Sequence, residues 1–189
     1  MIEAEKRKSI IDLVKREVVP AMGCTEPIAV ALCVAKATEV LGYTPEKINV
    51  YLSANMLKNA MGVGIPGTGM VGLPIAIALG ALVGKSSYQL EVLHDCTPEA
   101  VERGKKLIAQ GCINITLDKE ACDNLYVDVV CKRGNHRSEA IIAHEHTRLV
   151  YLCCDNNVML DERSSLHKTV IGEAGSDLTL QQAFDFATE

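Results

Sequence analysis

The feature that most constrains this chain is a change of hydrophobic period a little past its middle. Up to about residue 110 the apolar residues recur mostly at helical spacing, with one short alternating run, and beyond it they alternate in short runs. Ile10, Ile11, Leu13, Val14, Val18 and Val19 repeat helically between charged neighbours, and Pro20 ends the run. A second helix is predicted to begin after Thr25, with Glu26 and Pro27 in its first turn. It runs through residues 29–41 and stops at Gly42. Residues 47–53 alternate through Ile48, Val50 and Leu52 as a strand, and residues 56–60 return to helical spacing. A glycine-dense stretch over residues 62–69 precedes an apolar helix predicted over 70–82. Thr97, Pro98 and Glu99 have the character of a cap and first turn for a helix through Gln110.

Residues 113–117, 125–131, 137–143 and 148–153 alternate, and Asp118, Gly134-Asn135 and residues 155–157 separate them as turns. This pattern predicts an antiparallel meander. A last amphipathic segment, residues 180–187, is read as a short helix. The fold class expected is α+β, or mixed α/β. Helices from the amino-terminal half should pack on a mainly antiparallel sheet from the carboxy-terminal half, in a single domain over residues 1–189.

Composition excludes several function classes. Hydrophobic residues make up 48% and charged residues 23%, enough apolar side chains for a packed core. A net charge of −5, with no basic run longer than Lys6-Arg7-Lys8, argues against an extended nucleic-acid surface. The opening residues are charged and lack the apolar core of a signal peptide. The apolar stretch over residues 70–83 is too short and too interrupted to span a membrane, so a cytoplasmic location is expected. The eight cysteines include no Cys-x-x-Cys pair and are read as mostly reduced, buried small hydrophobes, with Cys153 and Cys154 on opposite faces of a strand.

Four constellations bear on chemistry. Gly23-Cys24-Thr25-Glu26-Pro27 sets a thiol at a helix start, where positive potential favours thiolate. The competing reading is a buried cysteine beside a cap. Ser53, Asn55, Lys58 and Asn59 offer a hydroxyl, two amides and an ammonium for a carboxylate, or else an ordinary cap. Gly62, Gly64, Gly67 and Gly69 could form an anion-holding backbone nest ahead of a helix, or a close-packed turn. His144 and His146 share a face if the segment is a strand. With no third ligand in the spacing, no metal site is assigned.

Taken in order, Gly23-Cys24-Thr25-Glu26-Pro27, then Ser53, Asn55, Lys58 and Asn59, then the run from Gly62 to Pro74 resemble the L-cysteine desulfidase family. These are iron–sulfur lyases related to the α-chain of iron–sulfur L-serine dehydratases. The likeness extends through residues 76–84 and 90–93 to His146, Thr147 and residues 180–187, nearly the whole chain. It implies β-elimination of sulfide from L-cysteine to give pyruvate and ammonia, or dehydration of L-serine. It also implies a [4Fe–4S] cluster as Lewis acid and no pyridoxal phosphate. Carried over, Cys24 is the base or a cluster-proximal thiolate and Lys58 a second catalytic candidate. Thr25, Ser53, Asn55, Asn59, Gly67, Thr68, Gly69, His146 and Thr147 would bind substrate. Family members continue into a helical domain holding the main cluster cysteines, so this chain is expected to be the amino-terminal part of a larger homo-oligomeric enzyme. By itself it should hold no stable cluster and turn over little substrate. A module that only binds an amino acid or small anion, and a structural subunit that dimerises through its apolar helix, are the competing classes.

Overall fold

The computed structural model describes residues 2–18, 20–121, 123–165 and 178–188. Val19 and Cys122, both named above, lie outside them. The chain divides into two compact units, residues 1–20 with 168–189, and residues 21–167. In the smaller unit, helix α1 (Ala4–Glu17) and a short helix near the carboxy terminus are joined by the Arg7 guanidinium, 5.3 Å from the centre of the Phe186 ring. That short helix is Leu180–Thr188, one residue longer than its periodicity predicts.

The larger unit is a two-layer α/β structure. Its central helix α2 (Thr25–Leu41) is apolar on nearly every side, with Ile28 through Ala35 all buried. A helix without a polar face must be covered all round. One side of α2 meets a sheet, and another meets a second apolar helix. Gly42 ends α2 at φ +77°, a left-handed conformation open to glycine at little cost.

The sheet contains β1 (Lys47–Leu52), β4 (Ile113–Leu117), β5 (Tyr126–Arg133), β6 (His136–Ala143), β7 (Leu149–Cys154) and β8 (Asn157–Asp161). Their order is β4-β1-β5-β6-β7-β8. The sheet is mainly antiparallel, with helices packed against it, as the period change predicts. Two details differ. β4 leaves the meander and pairs parallel with β1, Ile48 opposite Ile113 through Leu52 opposite Leu117. From Asn157, the last residue of the predicted 155–157 turn, the chain also forms a strand, β8, which its weak alternation did not announce. Ile48, Val50, Leu52, Val127, Val129, Cys131, Ala140 and Ile142 are buried and join α2 in the main core. The Cys33 thiol donates to the carbonyl of Ala140 at 3.2 Å, and the Ser138 hydroxyl to that of Ala37 at 2.7 Å. Cys153 is buried and Cys154 half-buried, in keeping with opposite faces of β7.

The glycine-dense stretch corrects one expectation. It forms a hairpin, β2 (Gly64–Ile65) against β3 (Met70–Val71), around the Pro66–Gly69 turn. The apolar helix therefore starts later than predicted, as α4 (Leu73–Val83), with Pro74 in its first turn where no backbone donor is needed. α5 (Pro98–Ala109) begins at its predicted cap, whereas α3 (Ala54–Ala60) starts two residues before its periodicity predicts, at a Ser53 cap that was the competing reading of that residue. The Ser53 hydroxyl accepts from the Met56 amide and that of Thr97 from the Ala100 amide. A second correction concerns His144 and His146. Both lie in the turn between β6 and β7, and His144 has φ +70°, so they share no strand face. No helix among the described residues is long and apolar enough to cross a membrane.

Candidate functional site

Four separate stretches of sequence meet around the amino terminus of α2. Gly23 has φ +88°, and a Cβ added there would lie 3.0 Å from Pro66 Cγ. Only glycine lets the chain before α2 pass this close to the hairpin turn. From there Cys24 and Glu26 turn toward α3. The Cys24 thiol donates to Glu26 Oε2 at 2.9 Å, and the Thr25 hydroxyl reaches the same oxygen at 3.4 Å. Asn59 Nδ2 donates to Glu26 Oε1 at 3.3 Å and makes a weaker contact, 3.5 Å, with Asn55 Oδ1. Glu26 is thus the hub of a line from Cys24 through Asn59 to Asn55.

This geometry reverses the expected state of the thiol. Cys24 is exposed, and its pKa is raised rather than lowered, first because the thiol donates to the Glu26 carboxylate and next because of partial burial. The backbone amides of Glu26 and Thr25 pull the other way and are outweighed. The anionic charge at the helix start belongs to Glu26 instead. Its pKa is lowered by the Cys24 hydrogen bond first, with help from its own backbone amide, the Asn59 amide and the charge of His146. The resting pair is therefore a thiol beside a carboxylate.

The other predicted residues divide. His146 is half-buried and near enough to act on Glu26, and Thr147 is half-buried beside it. Gly67 and Gly69 have φ of +75° and +64° in the hairpin turn, but the Thr68 hydroxyl is used inside that turn. It donates to Ile65 O at 2.7 Å and accepts from the Met70 amide at 3.0 Å, so it is not presented to a ligand. Lys58 is exposed and forms no hydrogen bond or ion pair among the described residues. Ser53 is buried and its hydroxyl donates to Asn124 O at 2.5 Å.

Ser53 and Asn55 also border a cleft of about 500 Å³ whose far wall is formed by Leu117, Asp118, Lys119, Ala121, Asp123 and Asn124. Asp118, Lys119 and Asp123 on that wall escaped sequence reasoning, because nothing in their local spacing marks them. Glu26 was read only as an acid in the first turn of α2 and not as a site residue; its place two residues after Cys24 is the signal that could have found it.

No family model matches this chain, and no solved structure does. It is similar to a UPF0597 protein of Bacteroides thetaiotaomicron, 59% identical over 187 residues, covering 99% of this chain and 43% of that protein. A UPF0597 protein of Aeromonas salmonicida is 42% identical over 182 residues, 95% of this chain and 41% of the relative. One from Porphyromonas gingivalis is 40% identical over 191 residues, 98% and 44% of the two chains. The chain therefore spans less than half the length of these curated relatives, to each of which it is similar along nearly all of its own sequence.

Proposed function

We propose that this chain is the amino-acid-binding part of a longer lyase that eliminates sulfide from L-cysteine, yielding pyruvate and ammonia. The observation that carries the reading is the line of contacts from Cys24 through Glu26 and Asn59 to Asn55, with the glycine hairpin packed on Gly23. It supports the reading because β-elimination needs a proton acceptor beside polar groups that hold the substrate. A substrate that excludes water from Glu26 raises the affinity of its carboxylate for a proton. Cys24 passes its proton to Glu26 in the same step as its sulfur accepts the α-proton, so no free thiolate has to build up beside the carboxylate. The Cα–H electron pair forms the Cα–Cβ double bond as sulfide leaves. The aminoacrylate tautomerises to an imine, which water hydrolyses to pyruvate and ammonia.

The resemblance also implies a [4Fe–4S] cluster. Among the described residues no three His, Cys, Asp or Glu side chains converge to hold a metal. Cys24 is engaged with Glu26, and Cys33 and Cys131 lie in the core. The described residues do not fit a cluster, and the steps above run through side chains alone.

The raised Cys24 pKa favours one second reading, a module that binds an amino acid without chemistry, since a resting thiol is a poor base. The test joins this chain to the remainder of the Bacteroides thetaiotaomicron relative and follows anaerobic sulfide and pyruvate release from L-cysteine. Release that Cys24→Ser abolishes supports the lyase. Tight amino-acid binding with no release from the wild type supports the binder.

A further inference from the structure

The cleft beside Ser53 lies outside the carboxyl ends of β1 and β4, the parallel pair in the sheet. Such crevices are where open α/β sheets take ligands, and about 500 Å³ suits a small molecule. Its far wall is firmly tied. The Asp118 amide donates to Leu52 O at 2.8 Å, the Ser53 hydroxyl to Asn124 O at 2.5 Å, and the His144 amide to Leu125 O at 3.1 Å.

On this wall Asp123 is singled out. Its Oδ2 lies 2.6 Å from His144 Nδ1, and the two side chains are 25% and 15% exposed. A carboxylate can only accept, so Nδ1 carries the hydrogen of this bond. The ring's other nitrogen, Nε2, is buried with no hydrogen-bond partner among the described residues. Its backbone, at φ +70°, adopts a conformation that side-chain-bearing residues rarely take. Strain and an orphaned polar atom are two costs of putting this imidazole behind this carboxylate. A turn that needed only to reverse the chain avoids both with glycine. Strain of this kind gathers at ligand-binding sites.

We propose that Asp123, oriented by His144, receives the α-ammonium of a zwitterionic amino acid in this cleft, whose carboxylate faces Lys119 and the Asn55 amide. The cleft carries Asp118 and Asp123 with Lys119. Asp118 Oδ1 accepts from the Glu120 amide at 2.9 Å, and Asp123 with Lys119 offers one charge of each sign, which suits a zwitterion better than a simple anion. The choice of an amino acid as ligand rests on the lyase reading. Asn55 belongs both to this cleft and to the line of contacts that runs through Asn59 and Glu26 to Cys24, so the cleft and the thiol–carboxylate pair lie at the two ends of that line. His144 acts through Asp123 and is a positioning residue.

Calorimetric titration of the full chain with L-cysteine and with 3-mercaptopropionate, which lacks the amine, tests this. The wild type should bind L-cysteine at least about 10-fold more tightly, the scale of one charge-assisted hydrogen bond. Asp123→Asn should remove that preference by weakening L-cysteine alone. His144→Gly accepts the same backbone but deletes the donor, and should erode the preference without lowering the melting temperature. His144→Asn keeps both a donor and tolerance of positive φ, and should restore most of it. An unchanged preference in Asp123→Asn overturns the assignment. So does an equal loss for both ligands, or failure of the wild type to bind L-cysteine at millimolar concentration. A preference without elimination retires the lyase alone, and elimination without a preference retires this site alone.

Discussion

Gly80→Ala sets two effects of opposite sign against each other at the contact between α2 and α4. In an isolated helix this change stabilises by about 1 kcal/mol, because alanine loses less backbone entropy. Here the added Cβ would lie 2.6 Å from the Ala31 carbonyl oxygen, 3.1 Å from its Cα and 3.2 Å from its carbonyl carbon. Ordinary contact begins at 3.4 Å, so the helices must part by about 0.8 Å locally. All three obstructing atoms are backbone of the most buried helix, and none can rotate away. With backbone atoms as near as 2.6 Å the cost lies at the upper end of the overpacking range, about 3 kcal/mol, which leaves a net loss of about 2 kcal/mol after the helical gain. For a unit of this size that lowers Tm by about 4–8 °C. Urea denaturation and thermal unfolding followed by circular dichroism measure it. Gly62→Ala, where nothing lies within 4 Å of the new Cβ, is the control and should be neutral or slightly stabilising. If Gly80→Ala melts at or above the wild-type temperature, the close approach of α2 and α4 is wrong.

Three other outcomes are expected. Glu26→Gln should lower the Cys24 pKa, since the carboxylate hydrogen bond is the largest cause of its elevation. Peptide-resolved alkylation by iodoacetamide at neutral pH should then speed up at Cys24, and an unchanged rate counts against the pairing. Asp128 is mostly buried and pushed up to about 7, chiefly by desolvation and next by the charge of Glu139. A carboxyl whose pKa is raised on folding binds more protons folded than unfolded, so stability falls as pH rises from about 4 to 7, by up to about 4 kcal/mol. Asp128→Asn should flatten that fall in urea melts at pH 5 and 7.5, and an unaltered slope refutes the assignment. Ser53→Ala removes both the α3 cap and the tie to Asn124, and should cost about 1–2 kcal/mol in the same melts. A loss below about 0.5 kcal/mol would mean that this hydroxyl holds nothing.

The sequence by itself determined the local elements whose signals are local. α2 starts at Thr25 and ends at Gly42 because helix starts and left-handed stops are written in one or two residues. The Ser53 and Thr97 caps and the alternation of β5, β6 and β7 belong to the same class. The meeting of Cys24, Asn55 and Asn59 was legible only as motif order. Their contacts depend on α2 and α3 coming together in the fold.

Tertiary structure alone decided what depends on pairing between distant segments. The placement of β4 beside β1 is a choice among free strand edges, and no residue in residues 113–117 encodes a parallel partner. Met70 and Val71 became strand because Gly64 and Ile65 offered them a partner, which overrode their place at the head of an apolar run. Charge states followed the same rule. The helix start favours an anion, but which side chain carries it was settled by the 2.9 Å contact between Cys24 and Glu26. Asp123 and His144 lie twenty-one residues apart, and only the closure of β5 on β6 brings that carboxylate and imidazole together. Periodicity fixes which face of an element is buried, whereas a site is made by where those faces meet.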